Sequence, residues 1–354
     1  TMATGCLLFY PAASLRIFPL FLLGYFVLAG GMTVLQVAAN PYVAVLGSEE
    51  TASSRLNLSQ AFNSLGTAIA PAFGALFLLS DSIKSKANID SLSDTVKEAY
   101  LISEASAVQN PFLVLAVSLL LLAFIVSFIK LPNILKKEEG FGYGAALKHK
   151  VLKMGALGIF LYVGAEVAIG SYLVNYFLDM NLAEVIKNTQ WMRTISESII
   201  QQDLENVDSK AIVAAFVIFY WSGAMICRFI GSYLTKIMKP GKVLGVFATL
   251  AISLILISIS TIGLISMWSI LAVGLFNSIM FPTIFTLSLD GLGELKPKAS
   301  GLLCTAIVGG ALIPPFYGFL TDNIGFKLAL MFIICCYVYI LYFGYRNYKK
   351  SIIV

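Results

Sequence analysis

Two short runs of uncharged amides stand inside otherwise apolar sequence. Gln36 and Asn40 are four residues apart, and Asn57, Gln60, Asn63, Ser64 and Thr67 recur at three- and four-residue steps. On a helix either spacing places the side chains on one face. An amide offers donor and acceptor together, so two such faces suit a neutral ligand whose hydroxyls do both. The competing use is hydrogen bonding between helices, worth only about 0.6 kcal/mol on average in a membrane. Pro41 follows Asn40 and removes the donor for a carbonyl one turn earlier, a device used where a helix lines a cavity.

Glu166 is the one carboxylate deep in an apolar run, Tyr162-Val163-Gly164-Ala165-Glu166-Val167-Ala168-Ile169-Gly170. A bare carboxylate there is costly, so it must be protonated, paired or wet. Proton coupling, substrate contact and a structural hydrogen bond are all open to it. Asn277 and Asn175 are second-rank polar candidates. Arg55 and Arg228 read as residues that snorkel or brace the helices around them near one membrane face. The single His, His149, lies in a basic stretch, and the five Cys all fall in apolar stretches with no CxxC spacing. No metal, cofactor, disulfide or nucleophile–base pair is expected, and the chain does not read as an enzyme.

These side chains must be carried by membrane-spanning helices. Of 354 residues, 58% are hydrophobic and 12% charged, against roughly half and a quarter in soluble domains. The excess falls in runs of about 20 residues, enough to cross the hydrocarbon. A soluble enzyme, a nucleic-acid binder and a disordered regulator are excluded. Hydropathy predicts a partial span at 2–13 and complete ones at 17–46, 55–80, 110–130, 151–177, 211–237, 243–263, 266–290, 299–320 and 326–345.

Lys and Arg concentrate at 130–153, at Lys236, Lys239 and Lys242, at Lys296 and Lys298, and at Arg346, Lys349 and Lys350. By the positive-inside rule these are cytoplasmic, and so is the C-terminus. The opposite connections, 81–109 and 178–210, have mixed charge and are expected to form short surface helices. The chain opens inside an apolar stretch, so it is expected to lack about two helices and the start of a third.

The sequence repeats itself. Asn40-Pro41-Tyr42-Val43 precedes Pro71-Ala72-Phe73-Gly74, and Phe281-Pro282-Thr283-Ile284 precedes Pro315-Phe316-Tyr317-Gly318, with the prolines 30 and 33 residues apart. A short polar turn lies within each interval. Two parallel six-helix halves joined by a linker are expected: a shortened N-terminal bundle at 1–130, a linker at 131–150 and a C-terminal bundle at 151–354. That is the plan of the major facilitator transporters.

Leu35-Gln36-Val37-Ala38-Ala39-Asn40-Pro41-Tyr42-Val43, with Arg55-Leu56-Asn57-Leu58-Ser59-Gln60-Ala61-Phe62-Asn63-Ser64-Leu65-Gly66, resembles the fucose–galactose–hexose symporter family of major facilitators. Phe281–Phe285 and Gly309–Pro315 are similar to that family's later helices. The resemblance implies alternating access around a midplane site and cation-coupled monosaccharide uptake through a bacterial inner membrane, with proton or sodium as the cation and a monomer as the unit. It implies sugar binding by Gln60 and Asn63, with Gln36, Asn40 and Asn277 around the site. L-fucose/proton symporters of the family have Glu in the place of Gln36, so Gln is similar to the glucose/galactose branch. Glu166 matches that branch and is the implied cation-coupling candidate; another coupling carboxylate belongs to the first helix. Pro41, Arg55 and Arg228 are the implied gating and structural residues.

Gly231-Ser232-Tyr233-Leu234-Thr235-Lys236, continuing to Gly241-Lys242, resembles the superfamily's gate signature, with Thr235 in the usual place of Asp. Gly318–Lys327 resembles it more closely, but the predicted orientation puts that stretch on the wrong face. An exporter of another organic solute on the same fold and a non-transporting product are the competing readings. The shortened chain alone is expected not to transport.

Overall fold

A computed structural model describes residues 1–78, 93–130, 132 and 143–353, and every regular element among them is a helix. Eight helical stretches among the described residues are long and apolar enough to cross a membrane, from Phe18–Val45 to Phe326–Lys349. This is the all-α membrane architecture expected from composition. Most of the predicted linker, at 131 and 133–142, lies outside the described residues, as does 81–92 of the first mixed-charge connection.

The chain forms two compact units, residues 1–39 with 66–134 and residues 40–65 with 135–354. The first contains α1 (Met2–Leu15), most of α2 (Phe18–Val45), the end of α3 (Ala52–Leu78), α4 (Asp94–Ala107) and α5 (Gln109–Ser127). Helix α1 packs along α5, where Phe9 is fully buried and stacks on Phe112 at 4.0 Å. The backbone of α2 at Leu28 comes so close to Gly5 that a Cβ there would sit 2.5 Å from the Leu28 nitrogen. At one end of this packing, Gln109 Nε2 donates to Ser14 Oγ at 2.8 Å.

The second unit is centred on α6 (Lys150–Asp179). The short helices α7 (Leu182–Asn188), α8 (Gln190–Ile200) and α9 (Ser209–Ala214) follow it, as the mixed-charge connection led one to expect. Then come α10 (Val217–Ile237), α11 (Pro240–Ser260), α12 (Gly263–Asn277), α13 (Met280–Leu289), α14 (Lys296–Thr305), α15 (Gly309–Ile324) and α16 (Phe326–Ile353). Helix α6 packs against α13, α15 and α16, while α11 lies along α16. Trp268 gathers Trp191, Phe216 and Phe219 and fastens the surface helix α8 to α12. The Tyr176 hydroxyl shares hydrogen bonds with the hydroxyls of the buried pair Ser258 and Ser266, 3.2 and 2.9 Å away.

Helix α12 approaches α10 so closely that a Cβ on Gly274 would overlap the Tyr220 carbonyl. Overpacking of this kind costs about 1–3 kcal/mol, and backbone cannot swing aside as a side chain can. Gly274→Leu is therefore expected to lower the melting temperature of the purified protein by several degrees, read by differential scanning fluorimetry in detergent. An unchanged melting temperature would refute the close approach.

Candidate functional site

The amide stripe lies on the first turns of α3. Gln60 Nε2 donates to Asn40 Oδ1 on α2 at 3.2 Å. Asn40 is buried, and among the described residues its Nδ2 has no hydrogen-bond partner. That donor points to a missing acceptor, because an unmade buried hydrogen bond costs about 1–3 kcal/mol. Asn63 lies three residues on from Gln60 and is exposed; Gln36 is half-buried one turn before Asn40. Pro41 is buried within α2, four residues before its end. Two carbonyls of its last turn, Val43 and Ala44, accept from the Arg55 guanidinium at 3.2 and 2.6 Å, and the Ser48 carbonyl accepts from it at 2.9 Å. Arg55 thus caps the negative end of α2 and fixes the α2–α3 hairpin.

The second polar centre is built on a helix break. Pro282 has no N–H, so it cannot bond the carbonyl of Ser278 four residues back. Helix α12 ends at Asn277, and α13 begins at Met280. Two side chains replace the lost donors: Arg228 Nε donates to the Ser278 carbonyl at 3.0 Å, and the Tyr162 hydroxyl to the Asn277 carbonyl at 2.9 Å. Asn277 itself is fully buried. Its Oδ1 accepts from Tyr337 at 2.6 Å, and its Nδ2 donates to the Tyr220 hydroxyl at 2.7 Å. Tyr220 in turn donates to the carbonyl of Glu166 at 3.2 Å.

Arg228 joins the two centres. Its Nη1 reaches the Gln60 carbonyl at 3.4 Å and the Ser64 hydroxyl on α3. The Glu166 carboxyl, half-buried on α6, faces the charge of Arg228 and the hydroxyl of Tyr162. The structure therefore brings Asn40, Gln60, Arg228 and Glu166 into one polar system. It places Asn277 inside that system with both ends of its amide held by protein groups. Asn175, exposed on α6, lies outside it.

Hydroxyl contacts that the sequence did not single out lie beyond the amides. Ser53 Oγ and Thr286 Oγ1 are 2.5 Å apart. Ser232 Oγ donates to the Ser54 carbonyl at 2.9 Å and lies 3.2 Å from Ser54 Oγ. Asn57 Nδ2 donates to the Ser53 carbonyl at 2.8 Å and reaches Thr283 Oγ1 at 3.3 Å. Lys296 pairs with Glu49 at 2.7 Å. The Lys296–Glu49 pair joins the two repeat-related turns, at 47–55 and 291–300, and the other contacts join the start of α3 to α13 and to Ser232 of the partial gate signature. Gly318–Lys327, the closer match to that signature, lies at the other end of the helices, where Lys327 Nζ donates to the Thr261 carbonyl at 2.6 Å.

A sequence profile described as Major Facilitator Superfamily matches residues 1–307. The glucose/galactose transporter of Brucella abortus biovar 1 (strain 9-941) is 46% identical over 351 residues, which are 98% of this chain and 76% of that protein. The L-fucose-proton symporter of Escherichia coli (strain K12) is 32% identical over 338 residues, 91% of this chain and 70% of that one. Among solved structures, the crystal structure of FucP, a major facilitator transporter in the outward conformation, matches with a TM-score of 0.84 at 30% identity, covering 98% of this chain and 80% of that one.

Because Asn277 satisfies two buried tyrosine hydroxyls, Asn277→Leu leaves both without that partner. Tyr220 keeps its bond to the Glu166 carbonyl, so the expected cost is about 1–3 kcal/mol for the Tyr337 hydroxyl, read as a lower melting temperature. In a double-mutant cycle with Tyr337→Phe the two losses should be non-additive by about 1 kcal/mol; additive losses would dissolve the network.

Proposed function

This chain belongs to the major facilitator superfamily and, within it, to the fucose–galactose–hexose symporter family, and on that premise we propose that it is a proton-coupled symporter importing a hexose such as glucose or galactose by alternating access. The observation that carries the substrate class is the amide pair: Gln60 holds Asn40 by its oxygen and leaves a buried Nδ2 donor unused. A sugar hydroxyl oxygen satisfies that donor without bringing charge into the membrane. Gln60 and Asn63 bind further hydroxyls, and Gln36 extends the same face of α2. Asn277 acts at one remove, by holding the tyrosines behind Glu166. The names of the Brucella and Escherichia relatives support a sugar as the cargo, and the second supports a proton as its partner.

In this reading Glu166 carries the coupling proton. When it is ionised, Arg228 is shared between the carboxylate and its contacts on Ser278, Gln60 and Ser64. Protonation withdraws the charge that Arg228 answers and changes how firmly α10 holds the sugar-binding turn of α3. Loading the proton and loading the sugar thus act on the same few hydrogen bonds, which is what coupling requires.

The hydroxyl contacts around Ser53, Ser54 and Asn57 are then the closed inner gate. A neutral hydrogen bond contributes about 1 kcal/mol and a surface ion pair 0–1 kcal/mol. Several such contacts hold a gate shut yet stay within reach of the roughly 5.5 kcal/mol that a ligand needs to invert a two-state population. The protein acts as a monomer in a bacterial inner membrane. Its C-terminus is cytoplasmic, with 1–130 and 151–354 as the two bundles and 131–150 as their linker.

Reconstituted in proteoliposomes as the complete gene product, the protein should accumulate radiolabelled hexose under an inward proton gradient. Glu166→Gln should abolish gradient-driven accumulation while leaving sugar exchange, and Gln60→Ala or Asn63→Ala should weaken apparent affinity on the order of tenfold, the equivalent of about 1.4 kcal/mol. Absence of uptake for every hexose would sink the proposal; accumulation driven by sodium alone would remove the proton from it.

The gate has its own test. In a background without the five native cysteines, Ser54→Cys with Ser232→Cys should form a disulfide under oxidation and stop uptake, and a reductant should restore it. Full uptake by the verified cross-linked protein would show that these residues need not separate.

A further inference from the structure

Helices α11 and α16 leave a groove of about 340 Å³ on the surface of the second unit, lined by residues from Gly241 to Leu250 and from Leu341 to Tyr348. Three glycines shape it, and they are not equivalent. A Cβ on Gly241 would lie 2.8 Å from the Gly344 carbonyl, and one on Gly344 would lie 2.9 Å from the Gly245 nitrogen. The close approach of the two backbones requires those two glycines. A Cβ on Gly245 would meet only Leu341 Cδ1, at an ordinary 3.7 Å. Helix packing does not demand glycine there; what its absent side chain leaves is the groove itself.

The groove is fitted for a chain of methylenes. Val246 and Leu250 are exposed along its wall. The Thr249 hydroxyl is turned back onto the Gly245 carbonyl at 2.9 Å, so it makes no demand on the contents. From Gly241 to Leu250 the wall rises about 14 Å at 1.5 Å per residue, close to half of the roughly 30 Å hydrocarbon thickness and so to one leaflet. The mouth has a different chemistry. Lys242 is exposed there, and the exposed Lys349 Nζ lies 6.0 Å from the centroid of the Tyr345 ring. Tyr345 and Tyr348 have the amphipathic character of residues at headgroup depth. Among the described residues, no acidic residue lines the groove.

We propose that this groove is a binding site for an anionic phospholipid, with one acyl chain along Gly245 and Leu250 and the phosphodiester held between Lys242 and Lys349. Charge complementarity selects the occupant: a zwitterionic lipid fills the same groove but brings its own cation to a mouth already occupied by two. A juxtamembrane Lys is worth about 1 kcal/mol toward an anionic lipid, so removing both lowers the preference on the order of tenfold or more.

Delipidated protein in detergent is titrated with dioleoyl phosphatidylglycerol or dioleoyl phosphatidylcholine and read by native mass spectrometry, with the melting temperature measured in parallel. Phosphatidylglycerol should be retained on the order of tenfold more strongly at a single high-affinity site, and it should raise the melting temperature more. Lys242→Gln with Lys349→Gln changes only exposed side chains and should abolish the preference while leaving phosphatidylcholine binding as it was. Gly245→Leu should fill the groove and remove the high-affinity site for both lipids. Glycerol phosphate without acyl chains should not compete. Equal retention of the two lipids overturns the proposal, as does a preference that survives the loss of both lysines, one that survives Gly245→Leu in folded protein, or competition by glycerol phosphate.

Discussion

One missing N–H organises the polar interior of this protein. Inside hydrocarbon a backbone carbonyl without a donor costs several kcal/mol, so each must be answered from within the protein. Pro282 leaves the Ser278 carbonyl unanswered by its own helix, and the break leaves Asn277 in the same condition. Tyr162 and Arg228 supply the donors. A tyrosine has one proton to give, but a guanidinium has five in a rigid fork. After Arg228 meets Ser278 it still has donors for the Gln60 carbonyl and Ser64. A requirement of backbone chemistry on α12 thereby becomes a positional constraint on α3, the helix that carries the amides. Lysine would carry the same charge toward Glu166, but it could not span these partners with one planar group.

The inner contacts follow a different rule. They are mostly hydroxyl to hydroxyl or amide to hydroxyl, and Asn57 Oδ1 is buried with no partner among the described residues. A fully satisfied charged network would be more durable, and breaking it would leave uncompensated buried charge. Neutral groups lose little when water replaces their partner. An unsatisfied acceptor even biases the closed form slightly toward opening. For the gate proposed above, which must part on every transport cycle, modest contacts are the appropriate ones. The Lys296–Glu49 pair at its rim keeps Glu49 largely in water, so it adds orientation more than energy.

Much of this was legible in the residues. The helical fold follows from apolar runs of spanning length, and the amide faces follow from three- and four-residue spacing. The isolation of Glu166 marked it at once. Other features were not legible, for reasons that are physical. Arg228 invited a snorkelling interpretation because an arginine's own sequence neighbourhood says nothing of its acceptors. Its carbonyl partner lies 50 residues away and is available only because of Pro282. Asn277 looked like a lining residue; tyrosines from two other helices, Tyr220 and Tyr337, consume it. The serines and threonines of the inner contacts were invisible among many hydroxyls that merely bond their own helix, as Thr249 and Thr305 do.

The repeat explains why the two halves resemble each other in sequence and still divide the chemistry. Pro41 and Pro282 hold equivalent places, each shortly before a polar turn. Helix α2 nevertheless continues unbroken to Val45, while the back half parts into α12 and α13. In the front half Asn40 Nδ2 has no hydrogen-bond partner among the described residues; in the back half Asn277 is saturated by tyrosines, and in the proposed mechanism it is Glu166, facing Arg228, that stays responsive. Recognition of a neutral ligand and storage of a proton make opposite demands on their surroundings. The first needs uncommitted dipoles in a shaped cavity, and the second needs a charge whose counter-charge can be withdrawn. The proposed assignment places them on different halves, so each surrounding can be built for its own task. Arg228, touching α3 with one nitrogen and the broken helix with another, is where the proposed mechanism has a change in either felt by both.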